Sequence, residues 1–126
     1  MKTALLLIAH GSRHAEANDD LHDLADRLRS TNRYAIVQPA FLELAEPTID
    51  EAGLGCVEQG AQRVILLPYF LSAGVHVRRD LQEYRDRLAR SFPAVMFALA
   101  EPLGPHALLV EILAERAEEA EAGFTG

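Results

Sequence analysis

Four short apolar segments divide the chain at nearly even intervals. They begin near Thr3, Tyr34, Arg63 and Ala94 and read TALLLIA, YAIVQPAFL, RVILLPYFL and AVMFALA. Their spacing of about 30 residues is that of a β-strand followed by a crossover helix. Segments that are apolar at almost every position are typical of strands buried on both faces of a parallel sheet.

Apolar residues recur at helical spacing after each segment. The four stripes are Leu21, Leu24, Ala25 and Leu28; Ile49, Ala52, Cys56 and Val57; Leu81, Tyr84 and Leu88; and Leu108, Leu109, Ile112 and Leu113. Strands that alternate with helices predict an α/β fold, here a four-stranded parallel sheet with helices on both faces. We expect one domain over residues 1–126, and the pattern leaves the strand order open.

Proline and glycine positions indicate where the helices begin and end. Pro47 and Pro105 suit the first turns of the second and fourth helices. Gly60 suits the end of the second helix, and Pro93 follows the third.

The chain carries a net charge of −7 and a single cysteine, Cys56. Acidic residues gather in the last helix, where no basic stripe could follow a phosphate backbone, so nucleic acid is not an expected partner. One cysteine suits a reducing compartment. The N-terminal run ALLLIA is not followed by a cleavage-site pattern, and no segment approaches the ~20 apolar residues that span a bilayer. We therefore expect a cytoplasmic protein with no membrane partner.

Residues suited to chemistry follow the strands. In an open parallel sheet, ligands bind beyond the carboxyl ends of the strands. Four loops should meet there: residues 10–13 (HGSR), 41–48 (FLELAEPT), 68–80 (PYFLSAGVHVRRD) and 101–106 (EPLGPH). We expect them to form one site.

Two histidines are the leading candidates for metal binding. His10 directly follows the first strand, and His76 lies in the third loop. A neutral imidazole can bind a divalent metal or accept a proton near pH 7. Two such ligands would leave coordination positions open, unlike a structural zinc site. The alternative is that His10 caps a helix or satisfies a carbonyl, and that His76 is an unrelated surface residue.

Two glutamates lie at the exit of the second strand. Glu46 precedes Pro47, which favours extended backbone, and its carboxylate could face the crevice as a metal ligand or as a partner of a substrate N–H. It could equally be an acid favoured by the helix dipole. Glu43 is the weaker candidate because it could still belong to the strand.

Three arginines supply local positive charge: Arg13, Arg78 and Arg79. Together they suggest an anionic ligand bound through carboxylate or phosphate contacts, although exposed arginines are often only solvated. The small and apolar loop before His76 could let a flat molecule approach the backbone, or could simply be mobile; it comprises Leu71, Ser72, Ala73, Gly74 and Val75.

The remaining histidines are weaker candidates. His14 and His22 should face solvent on the first helix, and His106 could line the crevice or cap the fourth helix. Cys56 lies on the apolar stripe of the second helix and is expected in the core.

Five short motifs in one order resemble the small, single-domain sirohydrochlorin cobaltochelatases, within the ATP-independent tetrapyrrole chelatases. They are AHGSR (9–13), FLELAEPTI (41–49), ILLPYFL (65–71), GVHVRRDL (74–81) and EPLG (101–104). The resemblance implies a chelatase-like half-domain that inserts a divalent metal into sirohydrochlorin, in cobalamin or siroheme synthesis. It implies no ATP and no organic cofactor, the metal being a substrate.

The resemblance also implies roles for particular residues. His10 would be metal ligand and proton acceptor, His76 a second metal ligand, and Glu46 and the loop Leu71 to His76 would contact the substrate. Apart from the resemblance, the shared position of Arg13, Arg78 and Arg79 at the strand ends leads us to expect that they bind peripheral carboxylates of such a substrate. Small family members resemble half of a two-domain chelatase, which implies a homodimer with the tetrapyrrole between the subunits. The chain departs from many relatives in having Ser72-Ala73 where a histidine often precedes the glycine, and in having no histidine-rich insert.

Three alternatives stay open at this stage. HGSRH superficially resembles the Arg-His-Gly of histidine phosphatases, but Ala9 stands where the arginine should be. A non-catalytic carrier of metal or tetrapyrrole would keep the same residues. Cobalt, iron and nickel are not distinguished, because imidazole and carboxylate ligands suit all three metals.

Overall fold

The computed structural model describes residues 1–124, which form strands and helices in strict alternation. The strands are β1 (Thr3–Ala9), β2 (Ile36–Phe41), β3 (Arg63–Pro68) and β4 (Met96–Leu99); the helices are α1 (Ala15–Ser30), α2 (Ile49–Glu58), α3 (Val75–Ser91) and α4 (Ala107–Glu121). The four predicted strands and four predicted helices are confirmed. The predicted domain, 1–126, also includes residues 125–126, which lie outside the described part.

The strands form one parallel sheet in the order β2-β1-β3-β4. After β1 the chain moves to one side of the sheet for β2, and then crosses to the other side for β3 and β4. The loops that leave β1 and β3 therefore diverge at a topological switch point, where open α/β sheets form their crevice. The predicted fold class is confirmed.

The side chains of β1 alternate between two cores, as the two-residue period of a strand requires. Leu6 and Ile8 face the larger core, shared with α2 and α3. Leu5 and Leu7 face a smaller core on the opposite side, where α1 contributes Leu21. Helices therefore cover both faces, with α1 on one and α2 and α3 on the other. In contrast, no residue of α4 is buried.

Several predicted boundaries need correction. Pro47 lies before α2 rather than in its first turn, because Thr48 caps the helix through a reciprocal pair of hydrogen bonds with Glu51. Pro105 likewise precedes the cap of α4, which is His106. The loop expected at 68–80 ends at Gly74, so α3 already includes His76. The expectations for Gly60 and Pro93 are confirmed, since α2 ends at Glu58 and α3 at Ser91.

Within residues 1–124, no helix is long and apolar enough to cross a membrane.

Candidate functional site

His10 stands at the carboxyl end of β1, one of the two central strands of the sheet. The exits of the neighbouring strands bond to this strand end: the Leu42 N–H donates to the Ala9 carbonyl (2.9 Å) and the Glu43 N–H to the His10 carbonyl (3.0 Å). On the other side the Tyr69 N–H donates to the Ile8 carbonyl (2.6 Å). These bonds fix the backbone that carries the imidazole.

Gly11 allows the chain to turn directly after His10. Its φ is +97°, a left-handed conformation that side chains rarely adopt. A Cβ at this position would stand 1.8 Å from the Glu43 carbonyl oxygen. Only glycine permits this close approach of the β1 exit to the β2 exit.

Asn18 of α1 holds the next residue of the turn. Its amide donates to the Ser12 carbonyl (2.8 Å) and accepts from the Ser12 N–H (2.9 Å). The Ser12 hydroxyl accepts in turn from the His14 N–H (3.0 Å). Residues 12–14 are therefore anchored to the first turns of α1.

Phe70 orients the imidazole of His10. The two rings stack with centroids 4.3 Å apart and an interplanar angle of 22°. Phe70 is itself buried in the larger core, so the stacking surface is rigid. The ring plane of His10 is set by packing, while its nitrogens lie at the ring edge, away from the stacked face.

His10 and Glu43 border the same cavity, which has a volume of about 430 Å³. Because β2 ends at Phe41, Glu43 belongs to the loop, and the reason for ranking it below Glu46 was wrong. The other lining residues are Leu42, Val77, Asp80, Glu83, Tyr84 and Arg87. Three carboxylates therefore surround a cavity that holds one imidazole and one guanidinium.

One face of α3 forms the far wall of this cavity. Val77, Tyr84 and Arg87 recur at helical spacing along it. Arg87 donates to Asp50 of α2 (Nη2 to Oδ2, 2.9 Å), and its guanidinium lies 4.6 Å from the centroid of the Tyr84 ring. The hydrogen bond to Asp50 and the charge of that carboxylate raise the pKa of Arg87, so this group is cationic at every working pH.

The other residues that were predicted to bind the metal or the substrate N–H groups lie outside this cavity. His76 is the second residue of α3 and is exposed. Glu46 is exposed in the loop before α2. The cavity therefore brings His10 together with Glu43, and does not include His76 or Glu46 in its lining.

The predicted arginines also lie outside it. Arg13 and Arg79 are exposed. Arg78 points to the opposite side of α3, where it donates to Glu101 (3.2 Å) and to the Ala73 carbonyl (3.1 Å). These two bonds connect α3, the loop before it and the exit of β4.

The predicted substrate loop comprises residues 71–74, and Val75, which was assigned to it, is the first residue of α3. Leu71 and Val75 are 71% and 69% exposed. The loop is tied to the β4 exit, because the Leu103 N–H donates to the Phe70 carbonyl (3.0 Å) and the Gly104 N–H to the Leu71 carbonyl (2.8 Å).

His106 and Cys56 have structural roles. The His106 Nδ1 accepts from the Leu108 N–H (3.0 Å), so this histidine caps α4, one of its two predicted alternatives. Cys56 is buried, as expected, and burial raises the pKa of its thiol from 9.0 to about 11.

Some site residues carry signals that the sequence interpretation missed. Asp80 and Arg87 lie on the face of α3 that includes Val77 and Tyr84, a pattern visible once α3 is known to begin at Val75. Asn18 and Phe70 act through tertiary contacts, which have no local sequence signal.

The cavity lining combines one imidazole with three carboxylates but forms no preformed metal site. Within residues 1–124 no group of three or more histidine, cysteine, aspartate or glutamate side chains is arranged to hold a metal ion. An imidazole opposite carboxylates offers a proton acceptor and weak cation ligands in one open cavity.

These features define an α/β protein with an open, histidine-containing site at the carboxyl edge of a parallel sheet. The model of the CbiX family matches residues 4–120. The chain belongs to the CbiX family, which confirms the resemblance drawn from its five motifs.

Relatives of two lengths match the chain. It is 38% identical over 112 residues to the chloroplastic sirohydrochlorin ferrochelatase of Arabidopsis thaliana, covering 89% of this chain and 50% of that protein. It is 34% identical over 116 residues to the sirohydrochlorin cobaltochelatase of Sulfolobus acidocaldarius, covering 92% of this chain and 90% of that protein. The chain thus spans half the length of one relative and nearly all of the other.

A solved structure also aligns closely. The sirohydrochlorin chelatase SirB of Bacillus subtilis subspecies spizizenii, in complex with cobalt, aligns with a TM-score of 0.86 at 28% identity. The alignment covers 94% of this chain and 51% of SirB.

Proposed function

We propose that the chain is a sirohydrochlorin metallochelatase, which inserts a divalent metal into the tetrapyrrole without ATP or an organic cofactor. The observation that carries the proposal is the cavity that His10 shares with Glu43 at the carboxyl edge of the sheet. The names of the relatives in both length classes support the substrate.

The chemistry needs a loosely held metal and a proton acceptor. As M²⁺ bonds to the four ring nitrogens, two pyrrolic N–H bonds break and two protons leave, with no electron transferred. His10 accepts one proton, and the second passes to a neighbouring carboxylate or to water. A site that bound the metal too tightly would oppose its transfer to the macrocycle. An incomplete set of protein ligands therefore suits this reaction.

We assign the carboxylate role to Glu43, because it borders the cavity that contains His10. His76 stays a proposed second metal ligand at the rim, and Glu46 a proposed contact with the substrate N–H groups. Among the arginines, Arg87 is held in the cavity wall by Asp50. The exposed Arg13 and Arg79 would contact peripheral carboxylates. Arg78 would act on the loop through its bond to Ala73.

We propose Co²⁺ as the physiological metal, and hence a place in cobalamin biosynthesis. The Sulfolobus acidocaldarius relative, whose length this chain nearly matches, is named a cobaltochelatase. Fe²⁺ and siroheme synthesis form the second candidate, since the Arabidopsis thaliana relative is named a ferrochelatase. A single cysteine suits a reducing compartment such as the cytoplasm for either pathway.

We also propose a homodimer with the tetrapyrrole bound between two copies. SirB aligns with this chain over 51% of its length, so the longer relatives have room for a second unit of this size. A second copy would supply that unit here.

Metallation of sirohydrochlorin with Co²⁺, Fe²⁺ and Ni²⁺, followed by visible absorption, tests the function. We expect the wild type to exceed the rate of free metal, with Co²⁺ preferred, and His10→Ala to lose about 100-fold of the rate. Glu43→Gln should reduce the rate more than Glu46→Gln, and His76→Ala should raise the metal concentration needed for the half-maximal rate. His22→Ala, exposed on α1, is the matched control.

The same assay separates an enzyme from a carrier. A carrier would bind metal or sirohydrochlorin at equilibrium but would leave the metallation rate at that of free metal. Wild-type rates in both His10→Ala and His76→Ala would contradict the assignment of the two histidines.

A further inference from the structure

The EPLG segment, residues 101–104, has no role in the proposed chemistry. It follows the edge strand β4, whose pairing with β3 is extended by a bond from the Ala100 N–H to the Leu66 carbonyl (2.8 Å). Its last three residues are half-buried although they belong to neither a strand nor a helix. Backbone polar groups that leave water need partners, so the bonds of this segment show what it holds.

Two backbone bonds join the EPLG segment to the exit of β3. The Leu103 N–H donates to the Phe70 carbonyl (3.0 Å), and the Gly104 N–H donates to the Leu71 carbonyl (2.8 Å). On the other side, the Tyr69 N–H donates to a carbonyl of β1 (2.6 Å). The backbone around Phe70 is therefore held between β1 and the EPLG segment.

Gly104 permits the second of these bonds. A Cβ at this position would stand 2.4 Å from the Leu71 carbonyl oxygen and 3.2 Å from Cδ1 of Leu109. A side chain at position 104 would push the two segments apart, because a backbone oxygen cannot rotate away as the end of a long side chain can. Glycine is suited to such a close approach of two backbones.

Glu101, at the other end of the segment, holds the loop of residues 71–74 through Arg78. Its carboxylate accepts from Nη1 of Arg78 (3.2 Å), and Nε of the same guanidinium donates to the Ala73 carbonyl (3.1 Å). Both charged side chains are exposed, and an exposed ion pair contributes little to stability. The effect of this pair is geometric, because it orients the guanidinium that bonds to the loop.

Phe70 connects the EPLG segment to His10. Its ring stacks on the imidazole with centroids 4.3 Å apart, and it is buried in the larger core. The lone pair of a neutral imidazole lies in the ring plane, so the tilt of the ring sets the direction in which His10 can bind a metal or accept a proton. Removing a group that orients a metal ligand changes metal affinity or activity by about 10–100-fold.

We propose that the EPLG segment positions both reactants of the proposed reaction. Its Leu103–Gly104 end aligns His10 through Phe70 and so acts on the metal. Its Glu101 end aligns the loop through Arg78 and so acts on the tetrapyrrole. These residues are positioning residues, not catalytic ones. The proposal rests on the proposed function for the identity of the two reactants, whereas the alignment of His10 does not depend on that function.

Proton NMR of the His10 side chain tests the first end without metal or substrate. Stacking on Phe70 shifts the ring protons of His10 upfield, and their signal is assigned by its loss in His10→Ala. We expect this upfield shift to vanish in Phe70→Leu, to persist in Phe70→Tyr and to decrease in Gly104→Ala. Gly55→Ala, where a Cβ meets no atom within 4 Å, is the matched control. An unchanged shift in folded Gly104→Ala would overturn this part of the proposal.

Amide hydrogen exchange in the wild type tests the same end without a substitution at Gly104. The amides of Leu103 and Gly104 should exchange more slowly than that of the exposed Ser72, because both are hydrogen-bonded. Exchange as fast as that of Ser72 would contradict the two bonds, whether or not Gly104→Ala folds.

Steady-state metallation of sirohydrochlorin with Co²⁺ separates the two ends. Phe70→Leu should lower kcat by about 10–100-fold and leave KM for sirohydrochlorin near its wild-type value, and Phe70→Tyr should restore kcat. Glu101→Ala should raise this KM severalfold with kcat retained. Glu101→Gln keeps an acceptor oxygen for Arg78 and should restore KM. An unchanged KM in Glu101→Ala would contradict the second part, and so would a lower one, which would mean that Glu101 repels the substrate carboxylates.

Arg78→Lys distinguishes a positioning role from direct contact with the substrate. Lysine keeps the positive charge that a substrate carboxylate would meet, but it lacks the planar fork that bonds to Ala73 and Glu101 together. We therefore expect Arg78→Lys to raise KM for sirohydrochlorin as much as Arg78→Gln does. A wild-type KM in Arg78→Lys with a raised KM in Arg78→Gln would assign Arg78 to direct contact and overturn its positioning role.

The positioning and the proposed function fail in different ways. Metallation that is equally fast in the wild type, Phe70→Leu and Glu101→Ala would keep the function and reject the positioning. A His10 shift that depends on Phe70 and Gly104, in a protein that does not metallate sirohydrochlorin, would reject the function and keep the alignment of His10.

Discussion

Gly11 is the residue at which the site depends most directly on backbone geometry. Replacement by alanine would place a Cβ 1.8 Å from the Glu43 carbonyl oxygen, at a φ of +97°. We expect Gly11→Ala to lower the free energy of unfolding by at least about 1–3 kcal/mol and to displace His10 from Glu43, reducing metallation. Denaturant unfolding and the metallation assay measure the two effects.

The matched control is Gly55→Ala. Gly55 lies in α2, and a Cβ there would meet no atom within 4 Å. Alanine is the better helix former, so this variant should gain about 0.5–1 kcal/mol and keep its activity. Equal stabilities for Gly11→Ala and the wild type would contradict the close approach of the two strand exits.

At the level of elements, α1 supports the site through Asn18. Asn18→Ala removes both hydrogen bonds to the Ser12 backbone, so we expect roughly tenfold slower metallation and a loss of about 1–2 kcal/mol. Asn18→Asp keeps the acceptor oxygen, so its metallation rate and stability should lie between those of the wild type and those of Asn18→Ala. Asp19→Ala, exposed on the same helix, is the control. Full activity in Asn18→Ala would mean that α1 does not position the turn.

The elements also mark how far the sequence could predict this molecule. The four strands were predictable because apolar runs at regular intervals indicate a parallel sheet that is covered on both faces. The start of α2 has a signal in the sequence, the capping pair Thr48 and Glu51, which places Pro47 before the helix and not in its first turn. The start of α3 had none: Gly74 caps without a side-chain bond, and Val75 and Val77 are poor helix formers.

That one boundary affected the predicted site. A helix that begins at Val75 places Asp80, Glu83 and Arg87 along one wall of the cavity, whereas a loop over residues 68–80 does not predict this wall. His10 was predictable because it follows a strand end directly. Its neighbours Glu43 and Phe70 come from other strand exits, and only the strand order, which periodicity does not contain, brings them together.

At the scale of the whole molecule, the question is whether one copy forms a complete site. SirB, about twice as long as this chain, shares its fold, and the Sulfolobus acidocaldarius relative nearly matches its length, so two units could be joined either covalently or by association. Association depends on concentration, whereas a covalent link does not. Met1 and Phe124 are 80% and 81% exposed, so a flexible linker could join two copies end to end.

We expect the rate of metallation per site to fall when the single chain is diluted below its dimer dissociation constant, because each monomer loses the surface that the partner supplies. The tandem chain should keep a constant rate over the same dilution series, since its effective concentration is set by the linker. A tandem chain with His10→Ala in both halves controls for background metallation. A single chain whose rate per site stays constant while its measured mass is that of one copy would place the complete site within one subunit.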